Sequence, residues 1–398
     1  MKRLVFAIVV VGLSCLLLAA CATPATPAPA ASPPTEIPAA PTAVQPTGAP
    51  TAVPPTAGPT SAPPTVAPAT APTSQPAAVQ PTTAPAGSST ISSTKLVRIA
   101  LFVPTSGDTY EEARQNGAKE TAAKLNATVT AYSGENDPLK QINQIQDAIA
   151  SKNYDALIIH PIDSNAVVPI IQDALKAGLV VVGADSPIGP NPDSLDPYPP
   201  GVVAFIGRTG KATGQWLGQA VLKACGTQNP CKVAYLIGIQ ALTIDQVRYK
   251  NFQDTLSANP NIKIVAFQEG LYQQDKSYQV MQNVFQAHPD INVVASSGDQ
   301  MTLGAEKAAK DAGLSGIAFI GNGASKEGCA DMQAGGMTAT IADIPYTQGQ
   351  LVVETAVKAV RGDNSFPKSV DLNKASPPLP AAGPVLDKDN LGSFQCQW

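Results

Sequence analysis

Two textures alternate along the chain from Lys95 onward, and the alternation leaves few folds open. Short runs of β-branched and other apolar residues at 97–103, 128–131, 156–159 and 179–182 are separated by segments with helical spacing at 111–125, 139–152 and 167–176. The runs are close to continuously apolar, so each predicts a strand covered on both faces. Such strands, one per helix, build parallel sheets, because a parallel neighbour is reached only by a crossover long enough to hold a helix. The pattern restarts after Gly207, with predicted helices at 212–223, 245–257, 276–287, 303–312 and 326–334 and strands at 233–237, 263–265, 293–295 and 317–320. About three hundred residues of such chain exceed one comfortable core. The expected fold is therefore α/β, with two Rossmann-like lobes of parallel sheet.

The first part of the chain cannot join either lobe. Residues 22–94 are almost wholly Pro, Thr, Ala, Ser and Val. Proline removes backbone donors and favours extended polyproline II, so a disordered, semi-stiff tether is expected, at ~3.1 Å per residue when extended. Ahead of it, Met1, Lys2 and Arg3 precede an apolar run at 4–18, and Leu18-Ala19-Ala20-Cys21 sets small residues before a cysteine. Residues 1–21 thus read as a secretory signal, and Cys21 with Leu18 three before it resembles the lipobox of bacterial lipoproteins. The rival reading is a transmembrane anchor, but a run of about fifteen residues is short for the ~20 that a spanning helix needs. Acyl chains on Cys21 would hold the mature protein to a membrane outside the cytoplasm, at the cell surface or in the periplasm.

A net charge of −4 offers no basic surface for phosphate, so nucleic acid is not an expected partner. Of six cysteines, Cys15 lies in the signal and Cys21 is the lipidation candidate. Cys225, Cys231, Cys329 and Cys396 remain, and outside the cytoplasm four cysteines suggest two disulfides with three possible connectivities. The turn-rich stretch 226–230 brings Cys225 towards Cys231, which leaves Cys329 with Cys396. A zinc site is the competing reading. No Cys-x-x-Cys supports it, and His160 and His288 lie elsewhere, so no metal is expected.

In open parallel sheets, ligands bind beyond the carboxyl ends of the strands, where loops can present polar groups without disrupting the ladder. Those ends carry Asp108, Tyr110, His160 with Asp163, Asp185 with Ser186, Asp299, Asn322 and Asp343, while Arg248 and Tyr272 follow strands of the second lobe. Carboxylates, an amide, a guanidinium and tyrosines suit a polyol, whose hydroxyls donate and accept and whose C–H face packs on aromatic rings. Each has a plainer reading. Asp163 fits a helix cap better than a ligand; Asp185, Asp299 and Asn322 fit caps or turns equally well; Tyr272 can be packing and Arg248 a solvated helix face.

From about Lys95 to Trp398 the chain resembles the ribose-type (type I) periplasmic binding proteins of sugar ABC importers. The matching stretches are 100–110, His160-Pro161-Ile162-Asp163-Ser164-Asn165-Ala166, 181–186, 248–252, 280–290, 299–305 and Ala339-Thr340-Ile341-Ala342. The resemblance implies two lobes joined by a three-strand hinge and closing on a sugar. It implies lobe boundaries at 95–207 with 341–366 and at 208–340 with 367–398. It also implies ligand contacts at Asp108, Tyr110, Glu111, His160, Asp185, Ser186, Arg248, Tyr272, Asp299, Asn322 and Asp343, with Tyr110 and Tyr272 sandwiching the ring. The pattern departs from the ribose type in several places. Glu111 stands where a second aromatic is common, His160 and Asn322 replace an amide and a carboxylate, Ser186 replaces an arginine, and Gly298 and Asp343 replace amides. More acidic acceptors and fewer long donors point towards another pentose, a hexose, a deoxysugar or a cyclitol. An insertion-like run at 187–200 borders the cleft.

The expected activity is capture of a monosaccharide or related polyol by a monomer, and its delivery to an ABC permease, with no cofactor and no turnover. Gly-x-Ser-x-Gly, His-Glu-x-x-His and Walker A signatures are lacking, although Asp108 and Glu111 could imitate a glycosidase pair. A sensor that presents its ligand to a chemoreceptor or histidine kinase would have the same lobes and is the alternative.

Overall fold

The computed structural model describes residues 95–374 and 383–398, so the expected signal, Cys21 and the tether lie outside it. The first lobe begins β1 (Val97–Val103), α1 (Thr109–Lys124), β2 (Ala127–Ser133), α2 (Pro138–Ser151), β3 (Ala156–Ile159), α3 (Val168–Lys176), β4 (Val180–Asp185) and β5 (Ala204–Gly207). The second lobe contains α4 (Gly210–Cys225), β6 (Cys231–Ile237), α5 (Thr243–Ser257), β7 (Ile262–Glu269), α6 (Gln274–Ala287), β8 (Val293–Ser296), α7 (Asp299–Asp311), β9 (Ala318–Gly323), α8 (Lys326–Ala334) and β10 (Ala339–Ala342). The chain returns for α9 (Pro345–Val360) and β11 (Ser369–Asp371), then crosses back to β12 (Val385–Asp387) and a 3-10 turn at Leu391–Ser393.

Each lobe has a six-stranded sheet, in the orders β11-β5-β4-β3-β1-β2 and β12-β10-β9-β8-β6-β7. Every pairing is parallel except that of β12 with β10. Strands β1, β3, β4, β6 and β8 are almost completely buried, as continuous apolar runs require once helices cover both faces. Among the described residues no helix is long and apolar enough to cross a membrane.

The lobe boundaries shift from the sequence expectation. Residues 341–342 sit in β10, hydrogen-bonded to β9, and belong to the second lobe. Residues 369–371 pair with β5 and extend the first sheet. Local periodicity could not reveal this, because a strand of three or four residues is recognised by the partner whose ladder it completes. Two crossovers fall at 208–209 and 343–344, and the third joins β11 to β12.

Two helix pairs bring the backbone unusually close. A Cβ at Gly117 of α1 would lie 2.1 Å from the Tyr346 carbonyl oxygen, and one at Gly349 of α9 would lie 2.0 Å from that of Arg114. In the second lobe a Cβ at Gly214 of α4 would lie 2.2 Å from the Arg248 carbonyl oxygen on α5. Only glycine permits these contacts, and both set an arginine-bearing helix beside the cleft.

Disulfides join Cys225 to Cys231, closing the turn between α4 and β6, and Cys329 to Cys396, fastening the final segment to α8.

Candidate functional site

The carboxyl ends of both sheets face one cleft, with about 520 Å3 of space that is partly continuous with solvent. The first lobe contributes Thr105 and Asp108 from the loop after β1, Tyr110 and Glu111 from the first turn of α1, His160 after β3 and Asp185 at the end of β4. The second contributes Ile239, Leu242 and Ile244 around the start of α5, Arg248 on α5, Tyr272 after β7, Ser297, Gly298 and Gln300 after β8, Asn322 in β9, and Trp398. Arg208 and Asp343 line the cleft from two of the crossovers.

Local chain chemistry aims these groups. Asp108 N-caps α1 by accepting from the Glu111 amide at 2.8 Å, which turns Tyr110 and Glu111 inward on the first turn. Asp185 and Tyr272 hold left-handed backbone, with φ of 61° and 55°, conformations an L side chain adopts only at a cost. The Tyr272 ring lies over Gly238, where a Cβ would approach to 2.2 Å.

Most charged groups are already paired. In the first lobe Arg114 Nη1 donates to both Glu111 oxygens at 2.7 and 2.9 Å, Nη2 lies 3.1 Å from Asp185 Oδ1, and Nε donates to Gln348 Oε1 at 2.7 Å. His160 Nδ1 lies 2.7 Å from Arg114 Nη1 and 3.1 Å from Glu111 Oε1, and its Nε2 faces Asp185 Oδ2 at 3.3 Å. Arg208 Nη2 reaches Tyr110 Oη at 2.5 Å, Asp185 Oδ1 at 3.2 Å and the Asp343 carboxylate. In the second lobe Arg248 pairs with Asp245 and donates through Nε to Thr213 Oγ1 at 3.1 Å, while the Tyr272 hydroxyl donates to Asp245 Oδ1 at 2.7 Å.

The electrostatics follow. Burial pushes the Asp185 carboxyl up, but Arg114, His160 and Arg208 outweigh it and hold it well below the usual range. For Asp343 burial prevails over Arg208 and the carboxyl is raised. Burial, then the Glu111 charge, pushes Asp108 up to about 7. Burial also raises Asp245 in spite of Arg248. Against these paired groups stand a few polar atoms without protein partners. Both side-chain atoms of Gln300, Asn322 Oδ1 and Arg208 Nε are buried and make no hydrogen bond within the protein.

The lobes also touch directly. Thr243 donates its amide to Ile162 O at 3.1 Å and accepts from the Ser164 amide at 3.2 Å, and Ile162 packs with Ile239, Leu242 and Ile244. Lys211 of α4 pairs with Asp193 in the 187–200 run at 3.1 Å.

Of the residues expected from sequence, Asp108, Tyr110, Glu111, His160, Asp185, Arg248, Tyr272, Asn322 and Asp343 converge on the cleft, and Ser186 and Asp299 do not line it. Ser186 is buried beside the end of β4. Asp299 opens α7 just after β8, accepting from the Ser325 amide at 2.7 Å and Thr340 Oγ1 at 2.6 Å, and so ties the end of β8 to the segment after β9 and to β10. Asp163 accepts from the amides of Asn165 and Ala166, as a cap does. Two arginines were not singled out in the sequence: Arg208 lines the cleft, and Arg114 is buried behind it in the same network. Glu111 and Arg114, like Asp245 and Arg248, stand three apart on a helix, a spacing that could have signalled both pairs. Arg208 directly follows a four-residue strand too short to read from periodicity. Gln300 and Trp398 carried no sequence signal. Among the described residues no cluster of three or more potential metal ligands occurs.

Two hinged α/β lobes with a polar cleft at their strand ends define a solute-binding protein of the clamping kind. A family model described as periplasmic binding protein domain matches residues 99–364, and the chain belongs to that family. It is 30% identical to the ribose import binding protein of Escherichia coli over 288 residues, covering 72% of this chain and 93% of that protein. Its structure is similar to that of an ABC transporter solute-binding protein of Mycobacterium smegmatis with bound glycerol, at TM-score 0.65 and 27% identity, covering 76% of this chain and 99% of the other. It is also similar to the Caulobacter myo-inositol binding protein bound to myo-inositol, at TM-score 0.64 and 25% identity, covering 75% and 96%.

Proposed function

We propose that this protein captures a monosaccharide or related polyol between its lobes outside the cytoplasm and delivers it to an ABC importer, held to the membrane by acyl chains on Cys21 and the Pro-rich tether. The observation that carries the reading is the division of labour in the cleft. Carboxylates and guanidiniums are fixed by one another, while the Gln300 amide and Asn322 Oδ1 stay buried without protein partners. A neutral polyhydroxylated ligand suits that arrangement. Its hydroxyls take the unused amide atoms and the second lone pairs of paired carboxylates, and it brings no charge to upset the balance. Asp108, Tyr110, Glu111, His160, Asp185, Arg248, Tyr272, Asn322 and Asp343 are the proposed ligand contacts. The relatives named for ribose and myo-inositol make a pentose or a cyclitol the first candidates.

Turnover is not favoured. Asp108 caps a helix and both oxygens of Glu111 are held by Arg114, so neither carboxylate is free to act as a glycosidase acid or nucleophile. A ligand contacting both lobes favours the closed form, since only differential affinity shifts open and closed populations. Melting curves recorded with pentoses, hexoses, deoxysugars and cyclitols test the proposal. One class should raise the melting temperature in a concentration-dependent manner without being consumed. No shift with any sugar, or product formation, would remove it.

A further inference from the structure

The final segment of the chain straps both lobes at the mouth of the cleft. Cys396 is tied to Cys329 on α8, Gln397 donates through Nε2 to Thr347 Oγ1 at 2.8 Å and accepts from the Thr347 amide at 3.2 Å on α9, and Trp398 enters the cleft. Trp398 is 6% exposed. Its Nε1–H donates to the Gly323 carbonyl at 2.7 Å, and its own carbonyl accepts from the Lys326 amide. The ring stands edge-on to Tyr110, with centroids 5.3 Å apart and planes at 89°. Room for it depends on Gly323, where φ is 128° and a Cβ would come within 2.3 Å of the indole. The ring polar atom is therefore satisfied by the protein, leaving an apolar face at the cleft.

Tyr110 is poorly placed to serve as an aromatic floor. The Arg114 guanidinium covers its ring at 4.9 Å, and its hydroxyl is held by Asp185 and Arg208. We propose that Trp398 is the aromatic wall against which the C–H face of the ligand packs, and that the Cys329–Cys396 disulfide positions it. This inference rests on the sugar-binding reading for its ligand, but not for the anchoring of the indole.

The experiment has two arms. In a Trp216→Phe background Trp398 becomes the sole tryptophan, since the chain has two. Acrylamide quenching of its fluorescence should rise when Cys329 and Cys396 are both changed to Ser, and stay unchanged when Cys225 and Cys231 are. Equal quenching in all three proteins overturns the anchoring role. Should the first serine pair not fold, reducing the protein that carries Cys225→Ser and Cys231→Ser opens the Cys329–Cys396 bond alone among the described disulfides and gives the same readout. In the second arm, calorimetric titration with D-ribose, myo-inositol and the other panel sugars should show Trp398→Ala weakening binding by about tenfold and Trp398→Phe less. Unaltered affinity in Trp398→Ala overturns the wall. If no sugar binds the unsubstituted protein, the sugar reading falls and the quenching arm still decides the anchoring.

Discussion

The two lobes solve one packing problem with the same parts and reach different ends. Each sets a carboxylate and an arginine three residues apart on the helix after its first strand, Glu111 with Arg114 on α1 and Asp245 with Arg248 on α5. Each packs that helix on a neighbour through glycine, and each arginine Nε finds an acceptor on the neighbour, Gln348 in one lobe and Thr213 in the other. The first lobe then surrounds its arginine with Asp185 and His160 as well, and Arg114 is withdrawn from the cleft surface. The second leaves Arg248 at the cleft surface beside Tyr272, with Asp245 behind it. The difference teaches that a charged residue near a cleft can be scaffold or ligand contact according to how many partners the protein itself supplies.

The largest expected effect comes from breaking the more heavily partnered side. Arg114→Ala leaves the buried Glu111 carboxylate without a guanidinium and removes one of the two that face Asp185, and should destabilise the fold by about 3–5 kcal/mol in denaturant unfolding, the range for losing one member of a buried pair. A loss under about 1 kcal/mol would make the network dispensable. Arg248→Ala strands only Asp245, so its cost should be smaller, with ligand binding lost as well. That variant is not the clean binding probe that an exposed helix arginine would have been, because Arg248 is 4% exposed. The double change Asp245→Asn with Arg248→Met should recover stability without recovering binding; if binding returns, Arg248 is scaffold too.

Gln300→Ala sharpens the contrast from the other direction. This side chain makes no hydrogen bond in the protein, so its removal should leave the melting temperature within a few degrees while weakening ligand binding by about tenfold. Equal affinity would move the binding surface away from β8. The smallest effect concerns pH. With its folded-state pKa raised from 3.8 to about 7, Asp108 holds its proton more tightly folded than unfolded, so its contribution favours folding below pH 3.8 and is lost as pH rises towards 7. Asp185, held low, acts in the opposite sense and loses its contribution as pH falls below 3.8. Asp108→Asn keeps a capping side chain and should flatten the wild-type decline between those values in pH-dependent melting. An unchanged profile would assign the decline to another group.

Much of the fold was legible because the signals are local. The apolar run of β1 and the helix-period segment of α2 were readable from side-chain type alone, within a few residues of their ends. Strands β5 and β11 were not, since each is defined by the ladder it joins. The site divides in the same way. Nine expected residues meet in the cleft because strand ends of a parallel sheet are the places where loops present side chains. Ser186 and Asp299 occupy strand ends too, and only the packed neighbours show that one is buried beside β4 and the other spent on holding strands together.

The sequence by itself determined the two-lobe α/β architecture and the band of strand ends where polar residues gather, because periodicity and turn chemistry act over a few residues. The tertiary structure decided which charges neutralise one another, which amides are left for a ligand, and that Trp398 reaches a cleft built from residues far away in the chain. Those outcomes depend on contacts between distant segments, such as Arg208 with Asp343 and Trp398 with Tyr110, and spacing along the chain does not encode their distances in space.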